Sequence, residues 1–201
     1  MLKSRRFTIA IISSLLIIAA MRFGAYLPFK KSQLYIKATI DFQTGKIRSL
    51  QDFRAAFGSA LNFYSPVGQD ESISYYLGIL ANVVNQETNE EAVKILLKES
   101  EALAEQILKK GKGFGYSQNL YNFAMLYKMA SQKLNSEFYY QKSVDFFKEG
   151  LKSSPNRYIF LAGLFDLYGM KGDKAGMKEM GEIILKYWPN NEVAKQILGT
   201  F

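Results

Sequence analysis

Hydrophobic positions along the chain follow two regimes. From Phe7 to Met21 the sequence runs without a charge, behind a basic start at Lys3, Arg5 and Arg6 and up to Arg22. Beyond Lys31, apolar residues return every three or four positions, the period of an amphipathic helix, with little of the alternation that marks strands. Tyr140, Val144, Phe147 and Leu151 form one stripe, with Lys142, Asp145, Lys148 and Glu149 between them. Met177, Met180, Ile184 and Tyr187 form a second; Ala92, Leu96, Leu103 and Ile107 form a third, interrupted by Glu99. Residues 73–84 are apolar nearly all round, which predicts a helix covered on several sides. Turn and capping residues gather at 65–68, 111–115, 153–156, 172–173 and 189–191. The pattern therefore predicts an apolar segment at 7–27 and helices near 31–43, 47–63, 69–86, 88–110, 116–133, 135–152, 156–170, 173–187 and 190–199.

The first apolar run is short of the roughly 20 residues that cross about 30 Å of hydrocarbon. Continued through Leu27 it reaches that length, provided Arg22 snorkels to the headgroups. Tyr26 and Phe29 then fall in the interfacial belt, Lys30 and Lys31 follow in water, and Pro28 ends or kinks the helix. A cleaved signal peptide shares the basic start but wants small residues at alternate positions before the cut; Ile17, Ile18 and Phe23 stand there instead. A buried helix of a soluble domain rarely lacks every charge over such a run. The expectation is an uncleaved, single-pass anchor in a cytoplasmic membrane at 1–29. Lys3, Arg5 and Arg6 favour a cytoplasmic N-terminus, whereas Arg22, Lys30 and Lys31 weigh against it; the body, 30–201, is expected outside the cytoplasm.

Pro155 and Pro189 stand 34 residues apart, each closing an amphipathic helix and each followed by Asn. That spacing is the tetratricopeptide (TPR) period. Leu161, Leu164 and Tyr168, then Gly172-Asp173, then Pro189 resemble that family's pattern, as do Leu120, Phe123, Ala124 and Tyr127 in the unit before. Phe165 and Gly181 depart from it: the family has a small residue at the first and an aromatic one at the second. The resemblance is clearest over 116–155 and 156–189, with 190–201, carrying Val193 and Ile197, as a cap. Joined to the apolar segment already read as a transmembrane helix, it implies an all-α fold in which that helix is followed by a TPR-like right-handed α-solenoid of antiparallel helix pairs. A second resemblance rests on order and spacing. The apolar span, Lys30-Lys31, the segment 52–57, Ser65-Pro66 and the ending 186–190 look like the last transmembrane helix and TPR-like tail of bacterial O-antigen ligase or polymerase family proteins. That family's catalytic part is a many-helix membrane domain with no counterpart here, so no active-site residue carries over.

Composition narrows the chemistry. The chain of 201 residues has no Cys and no His, which excludes thiol nucleophiles, Cys/His zinc sites and imidazole bases. Gly111-Lys112-Gly113-Phe114-Gly115 lacks the Ser or Thr and the preceding strand of a phosphate-binding loop, and reads as a helix C-cap and connector. Glu99, Glu101 and Glu105 sit among lysines, where ion pairing and solvation account for them better than acid/base catalysis. Asp70 and Glu71 read as helix-start residues. The net charge is +8; Lys3, Arg5, Arg6 and Arg22 belong to the anchor and the rest is interspersed with acids, so no nucleic acid is expected.

Tyr75, Tyr76, Tyr116, Tyr121, Tyr127, Tyr139, Tyr140 and Tyr158 are expected mostly as helix-interface bulk, with groove lining as the alternative. In the geometry the TPR resemblance implies, Gln118, Tyr121, Met125, Lys128 and Asp166 would line the concave face and are the candidate binding residues. No catalytic residue, cofactor or metal is expected. The expected function is a membrane-anchored, non-enzymatic interaction module, linked to ligation or export of cell-envelope polysaccharide. Its partners would be proteins, a polytopic membrane glycan ligase or polymerase foremost. The alternative is a TPR adaptor of another envelope system such as pilus assembly or secretion.

Overall fold

The computed structural model describes residues 2–113 and 115–199; Met1, Phe114, Thr200, Phe201 and the side chains of 2–5, which include Lys3 and Arg5 of the basic start, lie outside the described residues. Among the described residues all regular structure is helical. The chain divides into two compact units, Met1–Ile73 and Ser74–Phe201.

In the first unit, α1 (Leu2–Ala20), a wide π-helical stretch (Met21–Tyr26) and α2 (Leu27–Gln43) follow one another without a break. Sequence reasoning has Pro28 ending or kinking the helix; the helix does not end there but runs on through it. Proline lacks an N–H and crowds the carbonyl four residues back. The backbone widens just upstream, where the Leu27 N–H donates to the Arg22 carbonyl, five residues back, and the dihedrals of Leu27 stay helical (φ −65°, ψ −46°). The span Arg6–Gln43 is long and apolar enough to cross a membrane, and nothing in its most apolar window is buried within the protein. Leu15, Leu16, Ile17 and Ile18 are all exposed.

Helix α2 ends where the Thr44 hydroxyl and N–H both donate to the Ile40 carbonyl and Gly45 turns the chain at φ +69°. Ser49 then caps α3 (Leu50–Leu61), its hydroxyl oxygen accepting from the Asp52 N–H at 3.0 Å. Apolar spacing in α3 puts Phe53, Phe57 and Ala60 on the buried face. Phe53 and Phe57 lie 4.7 Å apart, with Phe42 and Tyr35 of α2 against them at 5.8 and 6.2 Å. Lys31, expected in water, is only 2 % exposed. Its ammonium donates to the Phe63 carbonyl at 2.8 Å and to the Gln69 side-chain oxygen, while the Gln69 amide donates to the Leu61 carbonyl. The α3–α4 loop is thus tied to α2 by one buried cation.

Helix α4 (Gln69–Gln86) starts on Asp70 and Glu71, as the charge pattern predicts. It buries Ile73, Tyr76, Leu77, Leu80 and Val84, but along one broad face; Tyr75 is 63 % exposed and Gly78 and Asn82 face out with it. The expected covering on several sides is therefore only partial: Ile79, Ala81 and Val83 flank the core face half-buried, and the exposed stripe carries a tyrosine, a glycine and an asparagine that water tolerates. Asn89 caps α5 (Glu90–Lys110), and Gly111 ends it at φ +65°, the C-cap expected. The α5 stripe is centred one position along from the expected line, with Val93, Leu96, Leu97, Ser100, Ala104 and Ile107 buried and Ala92 half-buried.

Helices α6 (Tyr116–Lys133) and α7 (Glu137–Ser153) share the most extensive interface of the second unit. The Tyr116 hydroxyl reaches Glu149 at 3.4 Å, the Phe123 ring stacks on Phe146 at 5.2 Å, the Ser143 hydroxyl donates to the Ala124 carbonyl at 2.7 Å, and Tyr127 stacks on Tyr139 at 6.0 Å. Between α7 and α8 (Tyr158–Lys171) two glycines receive two rings. A Cβ on Gly150 would stand 2.2 Å from Phe160, and one on Gly163 would stand 2.2 Å from Phe147.

Asp173 caps α9 (Lys174–Tyr187), where the hypothetical Cβ atoms of Gly169 and Gly176 meet Met177 and Tyr168. Asn191 caps α10 (Glu192–Leu198), which buries Ala194 and sets Leu198 beside Gly181, so that a Cβ there would lie 3.1 Å away. The glycine that departs from the TPR pattern is thus the room that Leu198 occupies. Val193, expected in the cap, is 63 % exposed instead.

Candidate functional site

The residues expected on one face come from two helices, α6 and α8, and of the five only Lys128 and Asp166 meet each other directly. Gln118 is exposed on the first turn of α6; its amide donates to Asn122 one turn on at 3.0 Å, and its oxygen accepts from Arg157 at 3.5 Å. Arg157, the N-cap position of α8, also donates to the Ser117 hydroxyl at 2.5 Å. Lys128, half-buried, meets the exposed Asp166 across α6 and α8 at 3.1 Å. Tyr121 is half-buried, its ring edge-on to Phe147 and Phe160 at 6.2 and 6.4 Å. It therefore spends most of its ring on the α7–α8 lock. Met125 is half-buried between Tyr121 and Lys128 in the chain.

Sequence reasoning missed Asn122 and what it reaches. Its amide donates to the Ser74 hydroxyl at 2.7 Å and carbonyl at 3.2 Å, and Lys133 donates to the Asn85 carbonyl at 2.8 Å, both on α4. Gln132 adds a contact to the Met170 sulfur on α8 at 3.4 Å. Polar side chains thus link α4, α6 and α8, every second helix, with amides and the Arg157 guanidinium toward the start of α6 and Lys133 and the Lys128–Asp166 ion pair toward its end. The i,i+4 spacing of Gln118 and Asn122 was the available signal for it.

The other titratable groups are held elsewhere. Glu101 accepts from Lys142 at 2.5 Å between α5 and α7, and Lys142 also lies over the Phe138 ring at 4.8 Å. Glu105 pairs with Lys109 at 3.9 Å within α5. Burial pushes the Tyr127 hydroxyl up to about 12, a rise opposed by the Ser100 side chain and aided by the charge of Glu101. Burial likewise raises Tyr116, which has Glu149 beside it, and Tyr139 and Tyr140. Of the tyrosines singled out in the sequence, Tyr76, Tyr116, Tyr127 and Tyr140 are buried, as interface bulk should be; Tyr75 and Tyr158 are exposed. Among the described residues no group of three or more Asp and Glu is placed to hold a metal ion. The arrangement sets hydrogen-bond donors, acceptors and the Lys128–Asp166 ion pair between α4, α6 and α8.

Compared with known proteins, the chain matches no family model, no curated protein and no solved structure.

Proposed function

We propose that this chain is a membrane-anchored, non-enzymatic interaction module: one N-terminal transmembrane helix carrying a TPR-like right-handed solenoid of antiparallel helix pairs. The observation that carries the reading is the polar row on α4, α6 and α8. Stacked helix pairs bring every second helix to one face, and a series of amide and ionic clusters across that face is what a peptide or protein partner can pair with. Antiparallel pairing is supported by the order of contacts, which step back along α7 from Glu149 to Tyr139 as they step forward along α6 from Tyr116 to Tyr127.

The anchor rests on the uncovered apolar helix. Left in water, each exposed Leu or Ile forgoes about 1.5–3 kcal/mol of burial, and a run of them has no stable place outside lipid or another protein. Residues 7–27 at 1.5 Å per residue give about 31 Å, one hydrocarbon thickness. The basic start, against the weight of Arg22, Lys30 and Lys31, favours the orientation proposed, with the N-terminus in the cytoplasm and the repeats outside it. Single-cysteine variants test this cleanly, because the chain has no Cys. Ser153→Cys should react with a membrane-impermeant maleimide on intact cells, and Ser4→Cys should react only after lysis; the reverse labelling overturns the topology.

By its resemblance to the O-antigen ligase and polymerase tail, the partner is a polytopic membrane protein of envelope-polysaccharide ligation or export. Crosslinked pull-down from solubilised membranes should enrich such a protein, and Asn122→Ala with Lys128→Glu should lower its recovery at unchanged helicity. Enrichment of pilus or secretion components alone would replace this partner with the adaptor reading.

A further inference from the structure

The chain's single tryptophan lies outside the polar row, at the end of α9. Trp188 leaves the helix at φ −129°, ψ 73°, with its N–H donating to the Ile184 carbonyl at 2.7 Å; Pro189 cannot continue the helix, and Asn191 opens α10. The turn and the start of α8 enclose an open groove of about 550 Å³ lined by Tyr158, Tyr187, Trp188, Pro189, Asn190 and Asn191. Trp188 meets Tyr158 at 5.2 Å and 69°, and Tyr187 at 5.9 Å and 61°. In each of these edge-to-face contacts one ring meets another's face with its edge; Trp188 is half-buried, and Tyr158 is 40 % and Tyr187 43 % exposed, so ring surface remains open to a ligand. The Asn191 amide donates to the Tyr158 hydroxyl at 3.0 Å while its oxygen accepts from the Ala194 N–H at 2.9 Å, so the rim is pinned between α8 and α10.

We propose that this groove is a saccharide subsite that stacks a neutral pyranose ring on Trp188. Three features select that ligand. No lining residue carries a charge, and the Lys186 ammonium, over the Tyr187 ring at 5.6 Å from its centroid, is not part of the lining, so the groove itself offers a carboxylate or phosphate no direct ion pair. An aromatic floor with tyrosine hydroxyls suits a ligand that is apolar on one face and wet at its edge, and a pyranose presents C–H bonds on its face and hydroxyls around its rim. A wholly apolar ligand would strip water from Asn190, Asn191 and Tyr158 without replacing its hydrogen bonds, at about 1–3 kcal/mol for each group left unpaired. Asn191 retains one amide hydrogen and one lone pair beyond its two bonds, and the Tyr158 hydroxyl keeps its proton to donate. The volume falls in the ordinary range for small-ligand sites. The inference goes beyond the interaction-module reading, since it concerns a ligand rather than a protein partner.

Because Trp188 is the sole tryptophan, its emission reports this groove alone. The full-length chain, in a detergent without a sugar headgroup, is titrated with maltotriose, with the N-acetylglucosamine trimer and with a rhamnose disaccharide, each to about 20 mM, alongside a neutral Ser/Asn/Gly hexapeptide. A saturable emission change with at least one saccharide and none with the peptide is expected. Saturation-transfer NMR on Trp188→Ala should then show binding at least about tenfold weaker, a difference near 1.4 kcal/mol. Trp188→Phe, which keeps a ring in the turn, should keep the fold by circular dichroism and bind between the two. Asn190→Ala should weaken binding severalfold at unchanged helicity. Absence of any saccharide response, an equal response to the peptide, or unaltered binding by Trp188→Ala would overturn the proposal. None of these readouts depends on which protein the polar row recruits, so a failed pull-down leaves this result standing.

Discussion

Replacing Gly163 with alanine sets a methyl group where the Phe147 ring already stands. The new carbon would lie 2.2 Å from Phe147 Cε1 and 2.3 Å from Cζ. Carbon pairs sit best at about 3.5–4.0 Å, so more than about 1 Å of separation must be recovered by movement. Phe147 has little room to give it. The ring is fully buried, edge-on to Tyr121 and Phe160, and Phe160 itself fills the notch at Gly150. Overpacking of this kind costs about 1–3 kcal/mol, while a helical Gly→Ala change returns up to about 1 kcal/mol of propensity. The net expectation for Gly163→Ala is a loss of about 1–2 kcal/mol, or about 4–8 °C in melting temperature for a unit of this size.

Gly78, exposed on α4 with nothing within 4 Å of a Cβ, supplies the opposite sign. There alanine meets only solvent and should stabilise by about 0.5–1 kcal/mol. Thermal unfolding of both variants, followed by far-ultraviolet circular dichroism, separates packing from propensity. Phe147→Leu in the Gly163→Ala background should cost less than the sum of the two single changes, because the shorter side chain vacates part of the notch. A Gly163→Ala protein melting at or above its parent would refute the interlocking of α7 and α8.

Tyr127 predicts an alkaline weakening. Its hydroxyl is neutral and buried, with its pKa raised from 10 to about 12. The unfolded chain therefore releases this proton first, and the contribution is full below pH 10 and lost as pH rises toward 12, by about 1.4 kcal/mol per unit. Tyr116, Tyr139 and Tyr140 act in the same direction, so Tyr127→Phe should flatten, not abolish, the fall in urea stability between pH 9 and 11; an unchanged slope would contradict the burial argument. Lys31→Ala removes both the cation holding the Phe63 carbonyl and a buried stem, at a cost of about 2–4 kcal/mol. Limited proteolysis within 62–68 should speed up accordingly, and equal cleavage rates would deny the clamp. A double-mutant cycle on Glu101 and Lys142, a half-shielded pair between α5 and α7, should return a coupling of about 0.5–1 kcal/mol. Zero coupling would reassign that contact to solvated charge.

The helices were legible because each carries its own signals. Asn89, Asp173 and Asn191 cap the helices they precede, Gly111 and Gly172 take the left-handed conformation that closes them, and the apolar period of α7 matches the buried Tyr140, Val144 and Phe147. Such features are local, read within one turn of backbone. That the helix continues past Pro28 was illegible for the same reason: the widening that accommodates it lies upstream, and no residue type there announces it. Among the candidate binding residues, Lys128 and Asp166 were named together, but Asn122 was not, because its partner Ser74 is 48 residues away in the chain.

What the sequence determined alone is a string of capped amphipathic helices behind an apolar segment long enough to cross a membrane, with no imidazole or thiol for catalysis. The tertiary structure decided which side chains use the room the sequence leaves. Gly150 and Gly163 are merely weak helix formers until two phenylalanines enter them, Lys31 is an ordinary surface charge until a loop carbonyl closes over it, and Trp188 marks a repeat ending until Tyr158 arrives beside it. Each outcome depends on distances between segments far apart in the chain, which a period of three or four residues does not encode.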